Sequence, residues 1–173
     1  MRFLTLLSIK ADRSRKGLKM AYEIKRFSIS GDSLMDTTKN DKTERFMYAL
    51  KVNDTREVER LLVEGINVNA PLGHAHWPPL HQAVVYGHHE MVKVLLQHGA
   101  DPNLRIRYNR MAKGMVPLDF ATNVTIVESL LQAGAKPDCK DKKGMRPVDY
   151  AIFRKLDGVI RIFQRHYAQA LTA

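Results

Sequence analysis

The sequence predicts an all-α solenoid of about four helix–turn–helix units. Three observations predict it. The chain repeats itself at 34 residues: Ala49 falls on Ala83, Gly65 on Gly99, Asn69 on Asn103, and twice that shift carries Ala83 to Ala151. Pro79, Pro117 and Pro147 recur where the first helix of a unit would open, a position where the missing proline N–H is not needed. Apolar residues then fall at i, i+3, i+4 in the second helix, as at Val92, Leu95 and Leu96.

Taken in order, the units span about 43–69, 77–103, 115–138 and 145–170. The second is the most regular. Its first helix begins at Pro79, and Gly87 supplies a left-handed residue that ends it. Its second helix buries Val92, Leu95 and Leu96 and stops at Gly99. The first unit has Arg45 at the opening position, and Asn53, the next best left-handed residue, where the second has Gly87. The third has 9 residues from Ala121 to Leu130, against 12 from Ala83 to Leu95, which predicts a shortened turn between its helices. In the fourth, Gln164 replaces an inner leucine, as an outermost unit requires. Small Ala49, Ala83, Ala121 and Ala151 allow close helix approach.

This wording, "PLHQA…GHHEMVKVLLQHGADPN" between Pro79 and Asn103, resembles the ankyrin repeat family. The resemblance implies an ankyrin-repeat domain over 41–170 with short β-hairpin fingers between units. It implies side-chain to backbone hydrogen bonds for His81 and His88, and leaves His89 and His98 on an outer helix face. It also places the usual contact surface on the finger tips and the exposed side of each first helix. Here those first-helix positions are Lys51 and Val52, Val85 and Tyr86, and Phe153 and Arg154. The family's threonine before the proline is missing throughout: Pro78, Val116 and Arg146 stand there, which implies modest stability.

The fingers differ in length. Gly99 to Pro117 is 18 positions, against 14 from Gly65 to Pro79 and 13 from Gly134 to Pro147. The second finger therefore carries an insertion, where function tends to be grafted. It gathers Arg105, Arg107, Arg110 and Lys113 around Tyr108 and Met111; the third finger adds Lys140, Lys142, Lys143 and Arg146. These charges would form one basic ridge, with a solvated loop as the plain alternative. Trp77 sits at the base of the first finger, and it either packs on the next unit or joins the contact surface.

Net charge is +10 and uneven. Residues 1–42 carry 10 Lys and Arg against 5 Asp and Glu; 43–103 carry 5 against 7; 104–173 carry 13 against 6. Such a balance favours an acidic protein surface, with nucleic acid or an anionic membrane as alternatives. Residues 1–40 read as a basic, loosely ordered extension. The apolar run from Phe3 to Ile9 is short for a signal peptide and lacks a small-residue cleavage site. A basic membrane-surface anchor, or a start at Met20, are other readings of this segment.

Cys139, the lone cysteine, excludes an internal disulfide framework and fits a reducing, cytoplasmic compartment. His74 and His76 have His-x-His spacing, but two histidines cannot close a zinc site. No nucleophile elbow, phosphate loop or zinc-protease signature occurs. The expectation is a non-catalytic, monomeric binding module without cofactor or metal. It would contact a protein partner through Trp77, Val85, Tyr86, Arg105, Arg107, Tyr108, Arg110, Lys113, Lys142, Lys143, Phe153 and Arg154. An adaptor and a host-directed bacterial effector would use the same binding mode.

Overall fold

The computed structural model describes residues 3–9, 22–28, 34–72, 76–107 and 109–170. The chain forms two units, residues 1–38 and 39–173. In the first, β1 (Phe3–Ile9) and β2 (Tyr22–Ser28) pair antiparallel, from Phe3 opposite Ser28 to Ile9 opposite Tyr22. The sequence reading expects no regular element there. Both segments are rich in aromatic and β-branched residues that favour extended backbone.

The second unit is all-α and consists of four repeats. The first pairs α1 (Leu34–Val52) with α2 (Thr55–Val63), and the second pairs α3 (Pro79–Tyr86) with α4 (His89–Gln97). The third follows a 3-10 turn (Pro117–Phe120) with α5 (Val124–Gln132). The fourth pairs α6 (Pro147–Phe153) with α7 (Asp157–Ala170).

The prolines set the helix starts. Pro78, Val116 and Arg146, each before a proline, are extended with ψ of 149°, 164° and 162°. A residue before proline is pushed out of the helical region by the ring. Arg45 imposes no such stop, and α1 runs back to Leu34, giving 19 residues where α3 has 8.

The missing threonine is replaced in two repeats by a carboxylate three residues on. Asp119 Oδ2 accepts the Val116 N–H at 2.7 Å, and Asp149 Oδ2 accepts the Arg146 N–H at 2.8 Å. In the second repeat Gln82 donates from Nε2 to the Trp77 carbonyl at 2.9 Å. These turns are therefore tied by other means.

Asn53 and Gly87 take left-handed φ values of 61° and 73°, and Lys155 does the same at 57° in the fourth repeat. In the third repeat the short count comes out of the helix rather than the turn. Only the four-residue 3-10 turn forms, Ala121 is extended, and Asn123 caps α5 by accepting the Thr125 N–H at 2.8 Å.

Ala49, Ala83, Ala121 and Ala151 are all buried, as close helix approach requires. Phe46, Leu50, Leu61, Leu95, Leu130 and Phe163 fill one continuous core along the repeats. Gln164, in place of the inner leucine, is exposed on α7. Two asparagines bridge successive repeats. Asn69 donates to Gly99 O at 3.0 Å and accepts from Asp101 N at 2.8 Å. Asn103 does the same with Gly134 O (2.9 Å) and Lys136 N (2.8 Å).

Candidate protein-binding surface

Each finger is closed by very few backbone bonds. Leu72 N–H reaches Trp77 O at 3.0 Å in the first, Ile106 N–H reaches Met115 O at 3.0 Å in the second, and Asp141 N–H reaches Met145 O at 2.9 Å in the third. None of the three contains a strand among the described residues.

The inserted second finger is folded rather than solvated. Asn109 Oδ1 accepts the N–H groups of Met111 and Ala112 at 3.0 and 3.1 Å. Ile106, Ala112 and Met115 are buried together, packed with Trp77, Phe120 and Tyr150 into a small second core. Trp77 thus takes the packing role. Its ring lies 4.9 Å from Phe120 and edge-on to His81 at 6.5 Å, and its buried Nε1 has no hydrogen-bond partner.

The basic residues divide by role. Arg105 donates from Nη1 to Gly114 O at 2.8 Å and Lys140 O at 2.9 Å, which locks the second finger to the third. At the same junction Gly114, at φ +89°, lies against Lys142, where a Cβ would come within 3.1 Å of Cγ. Arg154 donates to Asp119 O at 2.7 Å and stands 5.4 Å over the Tyr150 ring. It supplies a donor to a carbonyl that the shortened helix of the third repeat leaves open. Arg146 pairs with Asp149 at 3.2 Å.

Arg107, Arg110, Lys113, Lys142 and Lys143 are exposed, and no ion pair involves them among the described residues. Tyr108 and His74 lie outside the described residues.

The apolar contact positions stay open to solvent. Val85 and Tyr86 at the end of α3, and Phe153 at the end of α6, are exposed, Phe153 by 82%. Val52 and Ile152 extend the set. Tyr86 packs its ring 5.6 Å from His88.

Of the histidines, His88 Nε2 meets Lys51 O at 3.2 Å across two repeats, the framework bond the resemblance implies. His81 is fully buried, but neither ring nitrogen completes a hydrogen bond. Burial pushes its pKa down to about 4, against weaker support from the Met115 and Leu104 backbone. His89 is a correction to the outer-face expectation: it is half-buried and its Nε2 lies 3.4 Å from Ser129 Oγ on α5. His98 is exposed and turns back onto Val94 O at 2.9 Å.

Sequence reasoning missed a carboxylate group beneath the fingers. Asp119 occupies the slot that His81 fills one repeat earlier, and is 1% exposed with Oδ1 unpartnered. Burial raises its pKa to about 7; Val116 N–H, Arg105 and Arg154 oppose the rise and Asp141 adds to it. Asp141 accepts from Tyr150 Oη at 2.5 Å, and burial with that bond raises the Tyr150 phenol. The signal was present as an aspartate inside the apolar run Val116 to Phe120. Among the described residues, no three His, Cys, Asp or Glu side chains gather as a metal site. Nor is any of their helices long and apolar enough to cross a membrane.

Comparison with known proteins supports the repeat family. Residues 19–106 match a family model for ankyrin repeats in three copies. The chain is 28% identical over 166 residues to a mitochondrial disaggregase of Bos taurus, covering 75% of this chain and 24% of that protein. It is 44% identical over 57 residues to the 2-5A-dependent ribonuclease of Homo sapiens, covering 33% and 8%. It is 34% identical over 131 residues to a BTB/POZ domain and ankyrin repeat-containing protein of Oryza sativa subsp. japonica, covering 74% and 24%. The chain spans about a quarter or less of the length of these curated relatives. With half of its residues, including its first two helix pairs, inside the family model, the chain belongs to the ankyrin repeat family.

Proposed function

We propose that the chain is a non-catalytic binding module that holds a protein partner against the exposed ends of its first helices. Protein–protein interaction is the general role of ankyrin repeats, and the disaggregase and ribonuclease resemblances lie within a small part of those proteins. The observation that carries the proposal is the exposed apolar set of Val85, Tyr86 and Phe153. These side chains do not contribute to the core, and they recur at the same first-helix position in the second and fourth repeats, where large apolar groups left in water favour a bound partner. Aromatic side chains provide large contact area at low ordering cost. The exposed cations on the second and third fingers, Arg107, Arg110, Lys113, Lys142 and Lys143, would steer an acidic partner and set its register.

The test is affinity capture with the full chain beside a Tyr86→Ala, Phe153→Ala variant, followed by measured affinity for each captured protein. Loss of about 2 kcal/mol or more of binding, as for an interface hot spot, is the expected outcome. A partner set and affinities unchanged by the two substitutions would overturn the proposal. Binding to nucleic acid or anionic membrane is the second reading, favoured by the net charge of +10. It requires affinity that falls steeply between low and physiological salt and ignores base sequence.

A further inference from the structure

A cleft between the first and second fingers stands apart from the apolar set. Its volume is about 210 Å³, and its walls include Pro71, His76 and Pro78 from the first finger and Leu104, Arg105 and Arg107 from the second. That is below the roughly 300 Å³ at which cofactor and drug-sized sites begin, so the cleft suits one side chain. Among the described residues, no carboxylate lines it.

The two arginines are in different states. Arg105 is pinned through Nη1 by Gly114 O and Lys140 O, and among the described residues Nε and Nη2 make no hydrogen bond. Its guanidinium is therefore held in place before any ligand arrives, which lowers the ordering cost of binding. Arg107 makes no ion pair or hydrogen bond among the described residues. The two stand two positions apart, with buried Ile106 between them, so they share the outward face of this segment. Two like charges side by side at a cleft are relieved by an anion placed between them. Planar guanidinium groups match a carboxylate in paired hydrogen bonds. Pro71, Pro78 and Leu104 give rigid apolar walls suited to the methylenes of an acidic side chain.

We propose that this cleft receives the carboxylate side chain of an acidic peptide segment in the protein partner. The inference rests on reading the chain as a protein-binding module and adds the chemistry that its fingers recognise. A nucleic-acid strand would meet the same two arginines through its phosphates, and the oligonucleotide arm of the test below separates it from the peptide.

The test is a nuclear magnetic resonance titration of the full chain, following the Leu104 methyl signals. The probes are acetyl-Glu-Leu-Glu-Leu-Glu-amide, the same peptide with glutamine for each glutamate, inorganic phosphate, and a short single-stranded oligonucleotide. The glutamate peptide should shift Leu104 saturably, and the glutamine peptide should bind at least about tenfold more weakly. Arg107→Gln should weaken the glutamate peptide about tenfold. Arg161→Gln, exposed on α7 and outside both the cleft walls and the finger cations, should change it less than about twofold.

Equal binding of the two peptides would overturn the proposal, as would an Arg107→Gln variant with unchanged affinity. So would phosphate or the oligonucleotide acting at lower concentration than the peptide. Failure of the broader reading looks different: the Tyr86→Ala, Phe153→Ala variant keeps its partners whatever the peptides do at Leu104.

Discussion

Arg105, on the second finger, donates to the carbonyl oxygen of Lys140 on the third at 2.9 Å, and the same Nη1 bonds Gly114 O at 2.8 Å. One side chain thus closes its own finger and ties it to the next repeat. This contact turns a long insertion, which would be mobile on length alone, into an extension of the array.

Arg105→Ala should therefore lower stability by about 1–2 kcal/mol, the range for a hydrogen-bonded charged donor discounted for exposure. Arg110→Ala, whose side chain is exposed and makes no ion pair among the described residues, should stay within about 0.5 kcal/mol of the parent. Urea unfolding midpoints at constant slope compare the two. Equal small effects would mean that the finger holds its position without the clamp.

Asp119 and His81 fill equivalent slots in adjacent repeats, and burial shifts them in opposite directions. The Asp119 carboxyl is raised from 3.8 to about 7, so the folded chain binds this proton more tightly than the unfolded chain. Its contribution is present below pH 3.8 and is lost as pH rises through about 7. The His81 imidazole is lowered from 6.5 to about 4, so its contribution is present above pH 6.5 and is lost as pH falls through about 4. Between about pH 4 and 6.5 the two slopes oppose each other, and stability should be nearly flat. Asp119→Asn keeps an oxygen to accept the Val116 N–H and removes the ionisation. Its stability relative to the parent should grow from pH 4 to pH 8, by on the order of a few kcal/mol. Unfolding free energies measured across that range check this. A difference between the two proteins that does not vary with pH would sink it.

The repeat boundaries were legible because proline and glycine carry backbone information directly. Pro79, Pro117 and Pro147 start their helices or turns, and Gly87 and Asn53 end theirs in the left-handed region. The backward extension of α1 follows from the same rule, read from the absence of proline at Arg45. Side-chain partners were much less legible. Arg105, Arg107 and Arg154 look alike in sequence as exposed cations. Two of them bond to carbonyls that are 35 residues away in sequence, and only the packing of neighbouring repeats brings those carbonyls within reach. Trp77 was undecided for the same reason, since Phe120 reaches it only once the shortened third repeat is in place. The exposed set was easier: the ankyrin resemblance places Val85, Tyr86 and Phe153 on the open side of each first helix, and all three side chains are exposed.

Lys155 holds φ at +57° in the turn between α6 and α7, where Gly87 holds +73° in the turn between α3 and α4. The two turns carry matching bonds. Gly87 N–H reaches Val84 O at 3.1 Å and Lys155 N–H reaches Ile152 O at 3.0 Å; His88 N–H and Leu156 N–H each reach the alanine five residues back at 3.0 Å. A side chain in this conformation costs about 1–2 kcal/mol. Glycine avoids that cost but loses about 0.5–1 kcal/mol through the entropy of the unfolded chain. Lys155 is exposed, so its side chain contributes little packing. Lys155→Gly should consequently raise stability by about 0.5–1 kcal/mol, and Gly87→Ala should lower it by about 1 kcal/mol. A Cβ at Gly87 would meet nothing within 4 Å, so steric crowding cannot account for that loss. Thermal and urea unfolding of both variants decide the matter. Opposite signs at the two matched turns identify backbone handedness as the cause, while equal signs would require a different one.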